Sequence, residues 1–187
     1  MSTATTTTAG TSSLPMIGGW AATIGGLTIT ALGIVGAVWP DSAEDPWFAV
    51  AGVAALLLAL GLSGLRVAVK DVPTAYRALL FSTVTTFLFG LAHFYAVVDV
   101  DKAIPLFSAF MVLTAIGMIV AGMAVLRARI WPDRRRFALP AAGIWPALTI
   151  PAGAALGDIP HFTAIAVWGL LWTTLGAILL NTGVRHP

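Results

Sequence analysis

His93 is the one ionisable side chain that sits well inside an apolar run. It stands 6 residues before Asp99, roughly 9 Å below the end of a helix that rises 1.5 Å per residue. Thr83, Thr86 and Gly90 precede it at helical spacing, so a helix here would show one small, polar face. Lipid offers no hydrogen-bond partner, and such a face must turn toward protein or a wet cavity. One chemistry for it is ligand binding, with His93 orienting the ligand by hydrogen bonding and Thr83 and Thr86 assisting. The other is plain packing, with a neutral imidazole bonded to a hydroxyl or carbonyl across a helix interface.

His161 opens a later apolar run, with Asp158 just before it and Asp99 and Asp101 at a comparable height. Two imidazoles on opposite helices can ligate a haem axially, or with Asp158 hold a divalent metal. The acids also have a structural role, because Asp45-Pro46 and Asp158-x-Pro160 read as N-caps with first-turn prolines. Pro146 and Pro151 each remove an internal hydrogen bond, so the span holding them should kink or break. Broken helices often mark substrate sites in transporters, whereas static kinks are common elsewhere. Trp145, Trp168 and Trp172 lie away from the membrane interfaces and serve either as pocket walls or as packing against that span.

What is missing narrows the chemistry further. The sequence has no cysteine, which excludes disulfides, thiolate metal sites and a cysteine nucleophile. It has no phosphate-binding loop, no H-E-x-x-H and no G-x-S-x-G, and its serines have no evident base. No Asp, Glu, Lys or Arg lies at mid-span, so proton coupling through buried carboxylates lacks its usual residue. The reading is therefore non-enzymatic, with no cofactor expected in the leading case and haem or a divalent metal in the alternative.

The elements that must position these residues follow from composition. Hydrophobic residues make up 58% and charged ones 10%, against about 25% charged in soluble domains. A large core would still need a charged surface, so the surrounding medium itself is apolar. Six runs, at roughly 17–38, 48–69, 75–98, 104–126, 137–156 and 159–180, reach the ~20 residues that cross a bilayer. They are too long for strands and lack strict alternation. The expected fold is an all-α bundle of six transmembrane helices over 14–182. The uncharged Thr/Ser-rich 1–13 should form a disordered cytoplasmic tail, and 183–187 a short one.

The stretch Arg127-Ala-Arg129-Ile-Trp131-Pro132-Asp133-Arg134-Arg135-Arg136 sets the orientation. With it inside, Arg66, Lys70, Arg77, Arg127, Arg129, Arg134, Arg135, Arg136 and Arg185 share the inner side, and only Lys102 of the 10 basic residues lies outside. Asp41, Glu44, Asp45, Asp99, Asp101 and Asp158 gather outside. The positive-inside rule then places both termini in the cytoplasm. Trp39, Trp47 and Tyr95 would form the outer aromatic belt, and Trp131 and Tyr76 the inner one. The basic charge serves topology, and no nucleic-acid partner is expected. The lipid bilayer is the partner implied, with other membrane subunits or a second copy as further candidates.

Small residues suited to close helix contact recur at Gly19, Thr23, Gly26, Thr30, Gly33 and Ala37, at Gly117, Ala121, Ala124 and Ala128, and at Ala166, Gly169, Thr173 and Gly176. An internal echo links Leu14-Pro15-x-x-Gly18-x-Trp20-x-Ala22 with Leu139-Pro140-x-x-Gly143-x-Trp145-x-Ala147, as a duplicated hairpin would. With its Arg-x-Arg-x-x-Pro step (Arg127, Arg129, Pro132) before an Ala/Gly/Leu-rich span, the chain resembles small uncharacterised six-span proteins of bacterial inner membranes. The resemblance implies this fold and location and carries no site residues. The expected function is to bind or pass a small neutral or apolar ligand, or to serve as an accessory subunit of a membrane complex. His93 would orient the ligand and Trp145, Trp168 and Trp172 would form walls. The alternative is a haem- or metal-binding redox protein using His93 and His161.

Overall fold

In hydrocarbon every backbone N–H and C=O must find its partner within the chain, and a helix is the simplest way to do so. A computed structural model describes residues 13–40, 45–131 and 133–182. It forms α1 (Leu14–Val38), α2 (Asp45–Ala68), α3 (Pro73–Ala96), α4 (Val100–Ala128), α5 (Ala138–Leu156) and α6 (Asp158–Thr182). A 3-10 helix over Asp133–Phe137 joins α4 to α5. All 6 long helices are long and apolar enough to cross a membrane, and the described residues contain no strand. The chain is an all-α, six-helix, multi-pass membrane protein. The terminal tails, with Arg185 and His186, and also Asp41, Glu44 and Pro132, lie outside the described residues.

Each helix packs against its neighbours in the chain, and α6 closes on α1, so the bundle is a ring. Six antiparallel spans bring the start of α1 and the end of α6 to one side, where Arg66, Arg77, Arg127 and Arg134–Arg136 also lie. This is the arginine end; the opposite, acidic end carries Asp99, Asp101 and Asp158.

Glycine doublets on α1 make the closure possible. In Gly18-Gly19 and Gly25-Gly26, spaced 7 apart, the first member faces α2 and the second faces α6. A methyl placed at Gly18 would stand 2.7 Å from Gly64 Cα, and one at Gly26 would stand 2.6 Å from Thr173 N. The α6 partners run in antiparallel order, Gly19 with Gly176, Gly26 with Gly169, and Gly33 with Ala166. Backbones this close gain dispersion contacts that lipid tails cannot match. Thr30 Oγ1 adds an interhelical bond to the Ala166 carbonyl, at 3.3 Å.

Hydroxyls join α3 to α4. Thr114 Oγ1 lies 2.8 Å from Thr85 Oγ1 and 3.2 Å from Thr86 Oγ1, and Ser82 Oγ donates to the Thr114 carbonyl at 3.3 Å. Asp99 caps α4, its carboxylate accepting from Lys102 N at 3.1 Å and pairing with Lys102 Nζ at 2.6 Å. Asp158 is the first residue of α6, with Pro160 in its first turn.

Two expectations are corrected. Of the kink or break expected in α5, the break does not occur, since one helix runs through Pro146 and Pro151. Pro146 has no N–H for the carbonyl of Ala142, four residues earlier, and the indole N–H of Trp168 takes that place at 3.1 Å. Trp131 does not stand in an aromatic belt: it is buried against the core beneath the arginine end. The preceding Arg129 turns the chain inward, capping α4 in the left-handed conformation at φ 51°. The hairpin echo does not extend to packing, since Gly18 meets the following helix whereas Gly143 meets Met118 and Ile119 of the preceding one.

Candidate functional site: a cavity at the acidic end

The large, fully buried side chains crowd the arginine-end half of the ring: Leu58, Leu62, Leu65, Leu79, Met118, Leu139, Trp172, Leu175 and Leu179. The acidic-end half is hollow. A cavity of about 500 Å³ opens there, within the range typical of ligand pockets, ~300–1,000 Å³. All six helices contribute to its wall, which is almost wholly apolar. Trp47 and Phe48 come from α2, Phe89 and His93 from α3, Phe107 from α4, and His161, Phe162 and Trp168 from α6.

Both histidines line this cavity. His93 is 6% exposed, and its Nδ1 lies 2.9 Å from the Phe89 carbonyl. A carbonyl only accepts, so Nδ1 donates, and in the neutral ring Nε2 keeps its lone pair. The imidazole is held between the edge-on ring of Phe89 at 4.5 Å and the tilted ring of Phe107 at 4.4 Å. His161 is arranged alike, with Nδ1 3.3 Å from the Ile150 carbonyl of α5. A run of ring contacts joins the two, from Phe107 to Phe48 (6.1 Å), Trp47 (5.5 Å), Phe162 (6.0 Å) and His161 (5.4 Å). The indole N–H of Trp47 is buried with no acceptor among the described residues.

The other residues singled out from the sequence divide. Trp168 joins the cavity wall, although its N–H is committed to Ala142. Trp145 donates to the Ala164 carbonyl at 2.9 Å and faces a shallow groove on the outer surface of α5 and α6. Trp172 is fully buried in the arginine-end plug, its indole N–H without a partner among the described residues. Thr83 bonds back to the Leu79 carbonyl, and Thr86 belongs to the α3–α4 hydroxyl cluster. Neither threonine lines the cavity. Thr86 shares the face of His93 but stands seven residues nearer the plugged end, roughly 10 Å along the helix. Thr83 shares the face of Gly90, which packs on Gly52 and Leu56 of α2. Asp158 is not in the wall, and no group of three or more His, Asp or Glu side chains able to hold a metal ion occurs among the described residues.

The aromatic wall was missed in the sequence. Its signal was present on α4, where Ile104, Phe107, Ser108 and Met111 follow the i, i+3, i+4, i+7 pattern of one helix face. In a helix apolar on every side that pattern has no polar background to stand out from.

The wall is thinnest between α4 and α5. Ile104 is 53% exposed, and Ser108, Pro151 and Ala154 are exposed too, whereas Ala51, His93, Phe162 and Trp168 on the other helices are buried. The close α4–α5 approaches, Gly122 on Pro140 and Gly143 on Met118, lie toward the arginine end, and Gly153 packs on His161 of α6 instead. No family model matches this chain, and no curated protein or solved structure shows significant similarity to it.

Proposed function

We propose that this membrane protein is a non-enzymatic binder of a small neutral or apolar ligand, held in the acidic-end cavity with His93 as its orienting hydrogen-bond partner. The observation that carries the reading is a buried histidine in the wall of an apolar cavity of about 500 Å³, its Nδ1 bonded to its own helix and its Nε2 without a hydrogen-bond partner among the described residues. The packed arginine-end half favours retention over free passage. Facilitated carriage, or an accessory role in a larger membrane complex, falls within the same reading. Its proposed setting is a bacterial inner membrane with the arginine end in the cytoplasm, by the positive-inside rule.

Native mass spectrometry of the protein released from nanodiscs tests this. A stoichiometric small-molecule adduct is expected, and it should disappear in Ala51→Phe, where a ring fills the wall at a residue 1% exposed. A spectrum free of adducts, unchanged when apolar compounds are added, would reject the reading.

A second reading has its own support. Both imidazoles line one cavity with Nδ1 held by a carbonyl, the arrangement that orients Nε2 in metal-ligating histidines. Haem held by His93 and His161 would give a Soret band that vanishes in His93→Ala. A plain protein spectrum after haem addition would remove this reading.

A further inference from the structure

The polar atoms of the cavity narrow the ligand class, given the binding reading above. We infer that the cavity takes a lipid-soluble phenol, a neutral aromatic hydroxyl compound with an apolar tail, which enters from the bilayer between α4 and α5 and donates its O–H to Nε2 of His93. Among the described residues no charged side chain lines the wall, which disfavours ions and zwitterions. Each histidine offers an acceptor, since its Nδ1 is committed to a carbonyl. The Ser108 hydroxyl and the Trp168 indole already donate to the carbonyls of Ile104 and Ala142. The ligand must therefore bring a hydrogen-bond donor. The indole N–H of Trp47 has no acceptor among the described residues but is itself closed off from the cavity space, so the acceptors of the two histidines set the polar group.

The ring follows from the walls. Phe48, Phe107, Phe162 and Trp47 form a continuous series of aromatic contacts, and aromatic side chains favour a further ring packed edge-to-face or offset. The tail follows from the opening. Ile104 of α4 and Pro151 and Ala154 of α5 line the cavity and are also exposed, so the tail is assigned a route between these two helices to the surrounding hydrocarbon.

The experiment is equilibrium binding of tritiated para-octylphenol, para-octylanisole and octylbenzene to the full chain in nanodiscs, with protein-free nanodiscs as the blank. The three probes share ring and tail and differ in the proton that His93 would accept. The phenol should bind about tenfold more tightly than the methyl ether, the worth of one buried hydrogen bond. His93→Leu should abolish that preference while the ether still binds, and His93→Gln, which restores an acceptor, should recover part of it. Equal binding of all three probes, or a phenol preference intact in His93→Leu, overturns the inference and leaves the apolar-cavity reading standing. Binding of none above the blank overturns both.

Discussion

A histidine's free nitrogen is only as well defined as the bond made by the other one. For His93 that bond runs to the carbonyl of Phe89, one turn back on the same helix, so it survives any movement of α3 against its neighbours. For His161 it crosses from α6 to Ile150 on α5, so its orientation depends on where α5 stands. Thr114 is the polar centre of the neighbouring interface, since its side chain meets two threonine hydroxyls. Thr114→Val keeps the shape and removes both contacts, leaving Thr85 its bonds to the Phe81 and Ser82 carbonyls and taking from Thr86 its interhelical partner. Unfolding in detergent should show a loss of about 1 kcal/mol, the scale of interhelical hydrogen bonds in membranes. Asp99 gives a pH dependence outside the spans. Hydrogen bonds from the side chain and backbone of Lys102 hold its carboxyl below the usual carboxylate range. The folded state binds that proton less readily than the unfolded chain. Its stabilisation of the α4 start is therefore complete above the ordinary carboxylate range and is lost as pH falls through and below it. The protection of the Lys102 amide against exchange, taken relative to the intrinsic rate at each pH, should fall on acidification, and Asp99→Asn should flatten that response.

Between elements, the pairing of Trp168 with Ala142 makes a quantitative claim. Trp168→Phe removes the indole donor and leaves a carbonyl that Pro146 cannot serve, at a cost of about 1–3 kcal/mol. In a Pro146→Ala background the backbone N–H returns to that carbonyl, so the same substitution should cost roughly 1 kcal/mol less. Additive effects in the double-mutant cycle would show that the indole is not replacing the helix bond. The ring closure is sensitive in another way. Any side chain at Gly169 meets the Gly26 carbonyl and Thr30 N at 2.5 Å, and Gly169→Val should lower the unfolding temperature by separating α1 from α6, a cost of about 1–3 kcal/mol. Spans and their order were legible in the sequence, because length and hydropathy alone decide what can cross a bilayer. Glycine spacing on α1 was legible for the same kind of reason, as a steric fact. What faces the interior was not. Thr86 and His93 share one face of α3, yet Thr86 meets Thr114 in the packed half while His93, seven residues on, reaches the cavity, and Thr83 falls on the face that Gly90 turns to α2. Likewise Pro146 read as a break because its rescue by Trp168 comes from a helix that the local sequence does not reveal.

Taken whole, the ring is unequal along its axis. Leucines and Trp172 fill one half, aromatic rings and two histidines surround space in the other, and the charges separate in the same direction. Among described residues, Arg66, Arg77, Arg127, Arg129 and Arg134–Arg136 gather at the plugged end, and Lys102 stands at the hollow one. If the positive-inside rule governs this chain, the hollow end faces away from the cytoplasm, and a ligand would be reached from the outer leaflet. The absence of cysteine makes the test direct, because one introduced thiol is the only thiol. Arg134→Cys and Lys102→Cys both place it at exposed positions at opposite ends. In intact cells a membrane-impermeant maleimide should label Lys102→Cys and spare Arg134→Cys until the membrane is opened. The reverse pattern would turn the cavity toward the cytoplasm. Labelling of both in intact cells would mean mixed insertion, and the arginine segment would then no longer account for the orientation.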